Sequence, residues 1–101
     1  MNMSSMRPIH PGEILKGELE ELNLSASAFA KTLDVPANRV TAILKKQRGI
    51  TADTVLRLAR FFGSTPDFWM GLKSSYDVKK AREDVRQRIE KNVKPHELLI
   101  A

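Results

Sequence analysis

The chain has 101 residues, with 17 basic and 12 acidic side chains, a net charge of +5 and no cysteine. That length suits one domain, able to bury about two-thirds of its unfolded surface in a single small core. Disulfides and thiolate metal sites are excluded, and no apolar run approaches the roughly 20 residues that span a membrane.

The N-terminal MNMSSMRPIHPGE has no apolar central region, so a secretory signal is not expected and the setting is read as cytoplasmic. Residues 1–7 are expected to be a disordered tail. The periodicity that follows is helical throughout, with no strand-like alternation and no Asn-Gly or Asp-Gly hairpin turn. Pro11 suits the first turn of a first helix, with Ile14, Leu15, Leu19 and Leu22 on one face. His10, just before it, is read as a capping or packing residue rather than a catalyst. Ser25 is a good N-cap for a second helix that buries Phe29, Ala30 and Leu33.

The third helix is expected to start at Pro36, because the residue before a proline is pushed out of the α region. It should bury Val40, Ile43 and Leu44 and end at QRG, with Gly49 as a left-handed cap. Thr51 caps a fourth helix whose stripe is Val55, Leu58, Ala59 and Phe62, and Gly63 ends it. Thr65 and Pro66 open a fifth helix, which packs Phe68, Trp69 and Leu72. The apolar phase then slips at Ser74-Ser75, which predicts a kink or a new helix start. A second stripe follows, Val78, Ala81, Val85 and Ile89, before Pro95 stops the helix. The expected core is Phe29, Leu33, Val40, Ile43, Val55, Leu58, Phe62 and Trp69. The expected division is residues 1–7 as the tail, 8–73 as the folded domain, and 74–101 as a C-terminal helix and tail.

Charge is unevenly placed along this frame. Glu13, Glu18, Glu20 and Glu21 crowd the first helix, whereas Val35–Ala52 holds Arg39, Lys45, Lys46 and Arg48 with no acid. Basic residues on an outer helix face are commonly just solvated, and the acidic face has that reading as well as one as a surface for a basic partner. The basic segment, however, follows a connection of only about three residues between helices two and three. So short a turn forces the steep crossing of a helix-turn-helix, whose second helix enters the DNA major groove. Ala37, Asn38, Arg39 and Thr41 then lie near its start. Asn pairs with adenine and Arg with guanine bidentately, and Ala and Thr methyls meet thymine methyls. Lys45, Lys46 and Arg48 at the helix end suit phosphates, as do Ser25 and Ser27 beside a helix N-terminus. An enzyme is poorly supported: His10 and His96 are far apart in sequence, and no phosphate loop, nucleophile elbow or zinc spacing is present. No metal or cofactor is expected.

The motifs VPANRVTAIL, RGITADT, LARFFG and PDFWMGL, in this order and behind IHPGEIL, closely resemble the HigA-type antitoxins, also called virulence-associated protein I-like. These belong to the XRE class of repressors, and the resemblance covers roughly residues 7–82. It implies an all-α fold: a five-helix lambda-repressor-like helix-turn-helix DNA-binding domain with a C-terminal helical extension. It also implies a recognition helix over residues 36–46, and two partners besides a second copy: double-stranded operator DNA and a cognate RelE-like, mRNA-cleaving toxin. A stand-alone repressor without a toxin remains open on the sequence. The stripe Val78, Ala81, Val85, Ile89, extended by Leu98, Leu99 and Ile100, is expected either to form the dimer surface or to fold back on the domain.

Overall fold

Capping side chains set where each helix begins in the computed structural model, which describes residues 7–97. The expected tail, apart from Arg7, lies outside those residues, as do Leu98, Leu99 and Ile100. In α1 (Pro11–Leu22) the cap is His10: its Nδ1 accepts from the Gly12 amide at 2.9 Å, while the Glu13 carboxylate accepts from the His10 amide at 3.0 Å. This is a capping box with an imidazole where Ser or Thr usually stands. Arg7 donates to both Glu13 oxygens, at 2.8 and 3.0 Å. The Arg7 hydrogen bonds and the one from the His10 amide together hold the Glu13 pKa down at about 2.

Ser25 caps α2 (Ala26–Leu33), Thr51 caps α4 (Ala52–Phe62) and Thr65 caps α5 (Pro66–Asn92), as the sequence suggests. The third helix differs at both ends. Pro36 is extended (φ −62°, ψ 144°) and stands before α3 (Ala37–Leu44) rather than inside it. The helix closes at Leu44, and Gly49 is not left-handed; Lys46 is, with φ 62°. Its amide bonds to Ile43 O at 3.0 Å and the Gln47 amide to Ala42 O at 2.9 Å, a Schellman turn that satisfies the last carbonyls before Gly49 is reached. Asn23 and Asp34 occupy the same position after α1 and α2, and Gly63 follows α4.

The core gathers Leu15 and Leu19 from α1, Phe29, Ala30 and Leu33 from α2, and Val40 and Ile43 from α3. Ile50, then Val55, Leu58 and Ala59 of α4, and Trp69 of α5 complete it. Phe62 is only half-buried, tilted against Trp69 with ring centroids 5.6 Å apart. Leu22 and Phe68, expected inside, are exposed. Leu22 has the right phase but ends its helix. Phe68 neighbours Trp69, and successive helical residues point about 100° apart, so only one faces the core. Ile50 sits just before the Thr51 cap, the place from which a hydrophobic staple reaches the residue now occupied by Val55.

α1 packs on α3 and α5, α2 on α3 and α4, and α4 on α5. The α1–α3 approach is close enough that a Cβ on Gly12 would collide with the Ile43 carbonyl. α5 is one uninterrupted helix of 27 residues; no new start occurs at Ser74-Ser75, and the expected boundary at 73/74 falls inside it. The slip in apolar phase has another cause. Val78 lies nine residues after Trp69, about 180° round the helix. The first stripe therefore faces the domain, and the second faces away from it. The molecule is accordingly elongated, 59 Å by 26 Å by 24 Å.

Candidate nucleic-acid interface

Three residues, Asp34 to Pro36, join α2 to α3, and the two helices pack directly on each other. Burial of Val40 and Ile43 fixes the roll of α3, leaving Ala37 and Asn38 exposed at its start and Thr41 half-exposed one turn later. Thr41 Oγ1 donates back to Ala37 O at 3.0 Å, so its methyl and lone pairs are what remain for a ligand. At the nearby start of α2, Ser25 Oγ accepts from the Ala28 amide at 3.1 Å, which leaves its own O–H free to donate. Ser27 is exposed in the same first turn. Lys45, Lys46 and Arg48 are all exposed on the loop that follows α3.

Arg39 is placed differently from its neighbours. It is turned toward α4, where Nη1 meets Asp53 Oδ2 at 2.7 Å, and its side chain is 29% exposed. The same carboxylate takes Arg57 Nε at 2.9 Å and Nη2 at 3.3 Å. Arg57 Nη1 in turn donates to Leu33 O at 2.9 Å and Asp34 O at 3.1 Å, the free carbonyls at the end of α2. Hydrogen bonds from Arg57 first, and then from Arg39, hold Asp53 below the usual carboxylate range. Neither Asp53 nor Arg57 was among the residues expected at this site, although an acid closing a basic run and an i,i+4 Asp–Arg spacing were both visible. Nor was Gln47, an exposed amide between the loop cations.

His10 lies behind this loop, buried and edge-on to Tyr76 of α5 at 4.9 Å. Burial pushes its pKa down and nearby Lys46 adds to that, against Glu13, Asp77 and a hydrogen bond to the Arg48 backbone. The Gly12 amide donates to Nδ1, so in this cap that nitrogen carries no proton, and the lowered pKa favours the same form. On the far half of α5, Val78, Val85 and Ile89 are 54%, 38% and 49% exposed. With Ala81 they form a shallow apolar groove edged by Arg82, Arg86 and Glu90. Among the described residues no group of three or more His, Asp and Glu could hold a metal ion, and no helix is long and apolar enough to cross a membrane.

A helix-turn-helix family model matches residues 15–69. Virulence-associated protein I of Dichelobacter nodosus is 49% identical over 82 residues, 80% of this chain and 76% of that protein. An addiction module antidote protein of the HigA family from Coxiella burnetii is 58% identical, with a TM-score of 0.87 over 90% of this chain and all of its own. The Pseudomonas aeruginosa antitoxin HigA, solved with the higBA promoter, is 44% identical, with a TM-score of 0.87 over 89% of this chain and 99% of its own.

Proposed function

The chain belongs to the helix-turn-helix family that includes the HigA antitoxins and virulence-associated protein I, and on that footing we propose that it is the antitoxin of a type II toxin–antitoxin module. It acts by binding, not by catalysis, in the cytoplasm. It represses its own operon at a palindromic operator and neutralises a RelE-like, mRNA-cleaving toxin by direct contact. The observation that carries the DNA half is the exposed start of α3 behind a three-residue turn, with Lys45, Lys46 and Arg48 on the loop at its other end. The Pseudomonas aeruginosa antitoxin HigA, solved with the higBA promoter, supports promoter DNA as the ligand.

In this reading Ala37, Asn38, Arg39 and Thr41 read bases, while Ser25, Ser27, Lys45, Lys46 and Arg48 hold phosphates. One helix reads only a few base pairs, and each mismatch costs ~1–3 kcal/mol. Two copies joined through Val78, Ala81, Val85 and Ile89 would present two reading helices at half-sites about 34 Å apart. Residues 8–73 then form the reading head, and 74–101 the dimerising extension.

The test is binding to the operator and to a scrambled duplex across a salt series. Arg39→Ala lowers discrimination, whereas Lys45→Ala weakens both duplexes alike and reduces the salt slope by about one. Equal discrimination by wild type and Arg39→Ala removes Arg39 from base readout. Co-purification with the product of the neighbouring gene, and rescue of growth when that gene is expressed, test the toxin half.

A further inference from the structure

We propose that Asp53 is a positioning residue for operator recognition: it orients the Arg39 guanidinium and thereby sets discrimination at the base pair Arg39 reads. The inference rests on Arg39 acting as a base reader. One carboxylate of α4 ties that helix to both helices of the helix-turn-helix. It takes Arg39 from α3 at 2.7 Å and Arg57 from its own helix at 2.9 Å, while Arg57 closes the end of α2 through Leu33 O and Asp34 O.

Stability is a weak explanation for this arrangement. Asp53 is 55% exposed, Arg39 29% and Arg57 34%, and ion pairs so open to water contribute little to folding. Orientation is a stronger one. An unrestrained arginine has many rotamers and serves a phosphate as well as a base. Only Nη1 of Arg39 is committed to Asp53, so the planar group keeps further N–H donors while its attitude is fixed. Guanine requires two donors in one plane against O6 and N7. A guanidinium already held at one nitrogen meets that requirement without being ordered at the moment of binding.

The experiment compares wild type, Asp53→Asn, Arg39→Ala and the double variant on operator and scrambled duplexes at one salt concentration, with circular dichroism as the check on folding. Asp53→Asn is expected to lower the ratio of operator to scrambled affinity by about tenfold, the scale of one bidentate base contact. In the Arg39→Ala background the same change is expected to do nothing further. Asp53→Glu keeps the charge but displaces it by one methylene, and an intermediate ratio is expected. If Arg39→Ala lowers the ratio but Asp53→Asn does not, the positioning role is overturned and the base-reading role stands. If Asp53→Asn lowers it equally with and without Arg39, it acts by another route and the proposal is again overturned. If Arg39→Ala leaves the ratio intact, Arg39 reads no base and both fall.

Discussion

Replacing Gly12 with alanine is expected to destabilise the protein, whereas the same change at Gly17 is expected to stabilise it. Both glycines lie in α1, and by helix propensity alone both changes gain roughly 0.5–1 kcal/mol. Their surroundings differ. A Cβ at Gly17 meets nothing within 4 Å, while one at Gly12 collides with the backbone carbonyl of Ile43. That carbonyl cannot swing aside cheaply, because it accepts the Lys46 amide in the turn that ends α3. Overpacking of this kind costs about 1–3 kcal/mol, so a net loss of about 1–2 kcal/mol is expected at Gly12. In a domain of this size each kcal/mol moves Tm by roughly 4–8 °C. Thermal melts followed by circular dichroism should show Gly12→Ala lower by about 5–15 °C and Gly17→Ala higher by a few degrees. Operator affinity should fall only for Gly12→Ala, since the strain passes into the loop of Lys45, Lys46 and Arg48. A Gly12→Ala protein melting at or above wild type would refute the close α1–α3 approach.

Three other outcomes are expected of the same structure. Because burial lowers the His10 pKa from 6.5, the unfolded chain binds more protons at this site; its stabilising effect is present above about pH 6.5 and drains as pH falls below it. His10→Asn, which retains a cap acceptor but does not titrate, should show a smaller drop in Tm between pH 7.5 and 5.5 than wild type; an equal drop would assign the titration to another group. Lys46 holds a left-handed φ that costs a side chain roughly 1–2 kcal/mol, so Lys46→Gly should raise Tm while lowering the salt slope of DNA binding by about one. Unchanged salt dependence would separate Lys46 from the phosphates. Val85→Glu and Ile89→Glu put charge into the outward stripe of α5 and should give a monomer by light scattering; a persistent dimer would place the seam elsewhere.

The helix starts were legible because Ser25, Thr51 and Thr65 announce them chemically. The core was legible because Leu15, Phe29, Val40, Val55 and Trp69 recur at helical spacing. Gly49 misled because a glycine looks like the natural left-handed residue. In fact the last carbonyls of α3 took the nearest amides, and Lys46 accepted the strained position. The phase slip at Ser74-Ser75 misled differently: a change of apolar face signals a change of partner, and a break in the helix is only one way to make it. Turn length and apolar spacing were enough to foresee Asn38 and Thr41 on the outer side of α3 and the cations after it in the open. The direction of Arg39 was not readable, because it depends on where the next helix places Asp53, fourteen residues on.

The two stripes of α5 also behave as gearing. About 40 Å of continuous helix carries both a face that grips the domain and one that looks away from it, and each residue between them turns one face by about 100° against the other. If the outward face is the seam between copies, the length of helix from Trp69 to Val78 sets the angle between the two reading heads. One residue inserted there would rotate the heads out of register with any fixed half-site spacing, and seven would nearly restore it. Along that span the chain length itself acts as the ruler for the operator.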